Sequence, residues 1–151
     1  MIDNYVFSDA QVIVANATSV VSTNVIDLGA LVGDRGVALN RFGPENASVW
    51  LVVSVGIQPT AGTALYLELQ DCATAGGTYK NTGIGIDVAN AMPLATLIPG
   101  YPMLKIPLPP SLRQFLQINY TTTGNWTGSV GTFNARLQYG TQSDDVTPFR
   151  V

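Results

Sequence analysis

A period of two runs through this chain. In SVWLVVSVGI (48–57), Val49, Leu51, Val53, Val55 and Ile57 fall on one side of an extended backbone. Trp50, Val52, Ser54 and Gly56 fall on the other. TALYLELQD (63–71) sets Leu65, Leu67 and Leu69 against Ala64, Tyr66, Glu68 and Gln70. RQFLQINYTT (113–122) sets Leu116, Ile118 and Tyr120 against Phe115, Gln117 and Asn119. GTFNARLQYG (131–140) sets Phe133, Ala135, Leu137 and Tyr139 against Thr132, Asn134, Arg136 and Gln138. Side chains alternate in this way on antiparallel strands with one face in a core and one facing outward.

Weaker strand signals occupy 11–15, 19–29, 81–88 and 101–108, and clusters of Gly, Pro, Asn and Asp separate the runs at strand-to-strand spacing. No segment carries a helical stripe; 87–98 comes nearest, and Pro93 interrupts it. Seven to nine short strands in 151 residues predict an all-β, single-domain jelly roll or antiparallel β-sandwich. Its core is expected to contain Leu51, Val53, Leu65, Leu67, Leu69, Leu116, Ile118, Phe133 and Leu137. The domain is placed at 11–139, between an N-terminal arm at 1–10 and a C-terminal tail at 140–151.

Chemistry is scarce. The chain has no histidine and one cysteine, which excludes Ser-His-Asp and Cys-His catalysis and the usual zinc ligand sets. Cys72 cannot form an internal disulfide and reads as a small buried or loop thiol. Ten carboxylates could in principle supply a glycosidase pair, but most sit at strand ends and in turns, where Asp caps backbone amides. Asp144–Asp145 lacks the pattern of a calcium loop. The glycine pairs in GIG (83–85) and GSVG (128–131) read as a turn and a strand bulge, because neither opens a helix as a phosphate loop does. The expectation is a protein that is not an enzyme and needs no cofactor or metal.

Assembly is the better use of such a surface. Charged residues make up 11% of the chain, against about 25% in an ordinary domain, while 46% is hydrophobic. A soluble monomer keeps itself apart with charge, so this composition points to surface hidden against a partner. A net charge of -3 with scattered Arg and Lys argues against nucleic acid, and no stretch is long enough to span a membrane. The N-terminus has neither the basic nor the apolar region of a signal peptide, which makes a cytoplasmic origin the default. Candidate partner contacts are Ile2, Tyr5 and Phe7 in the N-terminal arm, Trp50 and Trp126 on outward or loop positions, and Phe149 in the tail.

The order of the sequence blocks resembles the capsid cement (decoration) proteins of short-tailed double-stranded DNA phages. The opening MIDNYVFSDAQ and STNVIDLGA (22–30) carry the likeness, followed by SVWLVVSVGI, TAGTALYLELQ, MPLATLIPG, MLKIPLPP, RQFLQINYTTTG and GTFNARL. The resemblance spans nearly the whole chain, and the tail, TQSDDVTPFRV, goes unmatched. The resemblance implies a jelly roll on the outer surface of the virion, made in the host cytoplasm, that bridges neighbouring major capsid protein subunits against internal DNA pressure. It also implies symmetric self-association, and a homodimer is expected ahead of a homotrimer because isologous pairs are the commonest closed symmetry. The rival readings are a carbohydrate-binding jelly roll using Trp50, Trp126 or Tyr79, and a glycoside hydrolase or lyase using Asp and Glu.

Overall fold

The computed structural model describes residues 6–13, 19–28, 49–109 and 111–139. Ten strand segments follow one another: β1 (Val6–Val12), β2 (Ser19–Val21), β3 (Ile26–Asp27), β4 (Val49–Ile57), β5 (Ala64–Cys72), β6 (Lys80–Ile86), β7 (Met92–Pro93), β8 (Pro102–Pro107), β9 (Phe115–Thr123) and β10 (Thr132–Tyr139). The stretch 87–98 forms no α-helix; it makes two 3-10 turns, Val88–Asn90 and Leu94–Thr96, on either side of β7.

The strands build two antiparallel sheets. The first has the order β1-β10-β4-β8, and the second β2-β9-β5-β6. β3 extends the second sheet beside β2 on β9, so β2 and β3 are two halves of one strand position. β7 covers the start of β5. Apart from the β5–β6 hairpin, each successive strand position lies in the opposite sheet. That wrapping is a jelly roll.

The alternation in the sequence is the alternation in the structure. Val49, Leu51, Val53 and Val55 on β4 and Phe133, Ala135 and Leu137 on β10 face Leu65, Leu67 and Leu69 on β5 and Leu116, Ile118 and Tyr120 on β9. All nine expected core residues are buried, while Glu68, Gln117 and Gln138 are half-buried, so the register is the expected one. Each large aliphatic side chain removed from water contributes about 1.5–3 kcal/mol. Two residues of β4 depart from the pattern: Val52 lies on the outward face and is nonetheless buried, and Ile57, of inward parity, is exposed at the strand's end.

The first strand is where the expectation fails. The weak signal at 11–15 is β1 at Val6–Val12, so residues 6–10 belong to a sheet rather than to an arm. Two register shifts against β10 put the neighbours Phe7 and Ser8 both inside, and Ala10 adopts a positive φ of 47°. The amide of Ala10 donates to Asn134 Oδ1 at 2.7 Å, which holds this bulge in place.

The polar side chain of Gln11 then closes one side of the sandwich. Its Oε1 accepts from Ser8 Oγ (2.6 Å) and from the Thr23 amide (2.9 Å), and its Nε2 donates to the Val21 carbonyl (2.9 Å). Asn24 donates from its backbone to Phe7 O (2.9 Å) and from Nδ2 to Val6 O (3.1 Å). These bonds account for the break between β2 and β3: Ser22 still bonds Ile118 on β9, while Thr23 and Asn24 turn aside to serve β1.

GIG (83–85) also differs from expectation. It lies inside β6, at a register shift against β5, rather than in a turn. A Cβ at Gly85 (φ +149°) would overlap the Leu67 carbonyl, so only glycine allows the strands to approach this closely.

Candidate interaction surface

A jelly roll has two loop ends, and in this one they differ in chemistry. One end gathers the β4–β5 loop (58–63), the β6–β8 connection (87–101) and the β9–β10 loop (124–131). Across those three segments the only charged side chain is Asp87. Its carboxylate is occupied locally, accepting from the backbone N (2.9 Å) and Nδ2 (2.7 Å) of Asn90.

At this end, or on the strand residues leading into it, stand five exposed aliphatic side chains. They are Val12 (48% exposed), Ile57 (53%), Val88 (67%), Ile98 (50%) and Val130 (55%). The register brings two of them together, because Val12 and Ile57 both pair with Thr132, and Val130 precedes that residue by two. At the opposite end lie Asp27, Asp71, Lys80 and Arg113, together with Val6 at the start of β1 and Tyr139 at the end of β10.

The apolar end is braced from within by Trp126. Its side chain is 0% exposed, and its Nε1 donates to the Thr123 carbonyl at 2.9 Å. The ring packs against Gly62 in the neighbouring loop, where φ is +113° and any Cβ would overlap the indole. The Thr63 amide donates to Thr123 O (2.9 Å), the Leu94 amide donates to Thr63 O (3.0 Å), and Gly131 sits against Pro59. Three loops are thereby tied into one surface.

The opposite end is held by Asp71, which is nearly buried. It accepts from the Arg113 backbone amide at 3.0 Å and pairs with the Arg113 guanidinium at 3.1 Å.

The expected contact residues divide accordingly. Phe7 is a correction: it is 0% exposed in the core, so its side chain has nothing to offer a partner. Trp126 is a second correction, since it lies in a loop as expected but points inward as a brace. Trp50 is half-buried on the outward face of β4, paired with Gln138 on β10 and Pro107 on β8, with Lys105 Nζ 6.0 Å from its ring centroid. Ile2, Tyr5 and Phe149 lie outside the described residues, as does the tail at 140–151. The aliphatic end carries no contiguous signal in the sequence, because its residues come from four separate loops and strand ends.

Two shallow clefts open on the outward faces. One, of about 720 Å³, is lined by Ser8, Asp9, Asn24, Ser54, Asn134 and Arg136, together with Val6, Val52 and Ala135. The other, of about 510 Å³, includes Glu68 and Asp87. Asp87 is already committed to its cap, and among the described residues no three metal-ligating side chains come together. Cys72 is buried, with its thiol donating to Thr74 O at 3.2 Å. Tyr79 is half-buried, and burial pushes its hydroxyl pKa upward, with the nearby Cys72 adding to the shift. Among the described residues no helix is long and apolar enough to cross a membrane.

The sequence model of a family described as Bbp16 matches residues 7–137. The chain belongs to the Bbp16 family. The Bbp16 match starts at Phe7, the first core residue of β1, and stops at Leu137 in β10, so it takes in all but the outermost residues of the jelly roll. No curated protein gives a significant match to the chain.

Proposed function

We propose that this Bbp16-family chain is a cement protein of a phage head, which sits on the outer surface of the capsid and joins neighbouring major capsid protein subunits. The observation that carries the reading is the end of the jelly roll where five aliphatic side chains stand in water with almost no charge around them. Exposed apolar patches of this kind mark binding surfaces. The resemblance of the sequence blocks to capsid cement proteins supplies the partner, and the jelly roll it implies is the fold this chain adopts.

The mechanism is binding alone. Each copy removes apolar and neutral polar surface from water across a subunit boundary. Capsid symmetry repeats the contact, so that opening the shell requires many contacts to break together. The protein also pairs with itself, as a homodimer, through surface that its low charge leaves free of like-charge repulsion.

A carbohydrate-binding role has less support, because Trp126 is enclosed and Trp50 is half-covered. The experiment is reconstitution. Purified protein is added to heads assembled without it, and bound copies and head survival on heating are measured. Saturable binding that protects the heads is the expected result; heads that neither bind it nor gain resistance would remove the proposal.

A further inference from the structure

We infer that the charge-poor loop end is the shell-facing end of the molecule, and that it docks as a preformed apolar face on an apolar surface of the major capsid protein. This rests on the cement reading and adds an orientation to it.

Among the described residues the two loop ends differ in charge, while Asp9, Glu68, Lys105 and Arg136 lie on the strands between them. The β4–β5, β6–β8 and β9–β10 segments contain one charged side chain, Asp87, an exposed carboxylate that caps the turn by accepting from Asn90. Asp27, Asp71, Lys80 and Arg113 lie at the far end. An end that is desolvated on binding loses least when it carries few ions, since each buried unpaired charge costs several kcal/mol. An end that faces solvent and other particles needs charge to remain soluble. A cement protein built this way sits with residues 58–63, 87–101 and 124–131 down and Lys80 and Arg113 outward. End-to-end pairing of two copies through the same surface would consume the charge-poor face and leave only the charged end for the shell.

The face is also ready before binding. Trp126 under Gly62, Gly131 against Pro59, and the bonds from Thr63 to Thr123 and from Leu94 to Thr63 fix the three loops against one another. Ordering loops on binding consumes affinity, and a braced surface avoids that loss.

The test uses the full chain and heads assembled without it. Ile57→Asp and Val130→Asp are compared with Lys80→Ala at the opposite end, each checked for folding by thermal melting. The expected result is binding weakened more than about tenfold by either aspartate and unchanged by Lys80→Ala. Wild-type binding is expected to hold between about 0.1 M and 1 M NaCl, since salt screens charges and not apolar contact.

Should either aspartate variant fail to fold, Val130→Thr and Val88→Thr, both on exposed turns, take its place with weaker binding expected. Wild-type saturation together with unaffected aspartate variants would overturn the orientation while leaving the cement reading intact. Variants that turn a free oligomer into a monomer but still bind heads normally would assign this end to a second copy. Loss of wild-type binding in 1 M salt would overturn the apolar contact, and a wild-type chain that never binds heads would remove the cement reading itself.

Discussion

The indole of Trp126 packs directly against Gly62, so closely that a single methyl group on Gly62 would overlap its ring nitrogen. This contact joins the β9–β10 loop to the β4–β5 loop and gives the charge-poor end of the jelly roll its shape.

Replacing Gly62 with alanine should therefore be costly twice over. The residue sits at φ +113°, which disfavours a side chain by roughly 1–2 kcal/mol, and the methyl group adds overpacking of about 1–3 kcal/mol. Denaturant titration should show a loss of roughly 2–5 kcal/mol. Gly128→Ala is the control: its φ is also positive, at +77°, but a Cβ there meets nothing within 4 Å. It should lose only the backbone part, and equal losses in the two variants would remove the packing argument.

Tyr120 gives a pH signature. It is fully buried between the sheets, its ring centroid 6.1 Å from that of Phe133, and its hydroxyl shares a 3.0 Å hydrogen bond with Ser8. Burial, partly offset by that bond, moves its pKa from 10.0 to about 12. The folded state holds this proton more tightly than the unfolded chain does. The associated stability is fully present below pH 10 and is lost as pH rises from there to about 12. Over that window the loss is about 2–3 kcal/mol. Tyr120→Phe should flatten the alkaline decline measured by thermal melting; an unchanged slope would place the titration elsewhere.

Asp71 and Arg113 should prove unequal partners. Asp71→Ala strands the Arg113 backbone amide as well as the guanidinium, and should cost about 1–3 kcal/mol. Arg113→Ala keeps the backbone bond and removes only a side chain that is 39% exposed, worth at most about 1 kcal/mol. Chemical denaturation of the two variants distinguishes these outcomes. A larger loss from Arg113→Ala would mean that the ion pair, rather than the backbone bond, anchors the approach to β9.

Metal removal should have no effect. No three ligating side chains gather among the described residues, so dialysis against EDTA is expected to leave the melting temperature unchanged. A drop on chelation that calcium or zinc reverses would contradict this.

The central strands were legible because nothing interrupts them. Leu65, Leu67 and Leu69 alternate without a break, and the same parity carried Leu51, Ile118 and Leu137 into the core. β1 was misread for a local reason: its bulges bury Phe7 and Ser8 side by side and turn Ala10 to positive φ, which erases the period of two. Phe7 therefore looked like an arm residue. Trp126 looked like a surface aromatic because a loop carries no period at all, and the glycine that receives it lies 64 positions earlier in the sequence. The apolar end was legible only in part. The absence of charge from 88–101 is plain in the sequence, but its union with Val12, Ile57 and Val130 depends on which strands pair.

The most direct test of the account is a cryo-EM reconstruction of heads decorated with this protein. The account predicts density for a jelly roll on the outer surface across major capsid protein boundaries. Residues 58–63, 87–101 and 124–131 should lie against the shell, with Lys80 and Arg113 toward solvent. Heads that carry no such density, or a jelly roll whose Ile57, Val88 and Val130 point away from the shell into solvent, would contradict it.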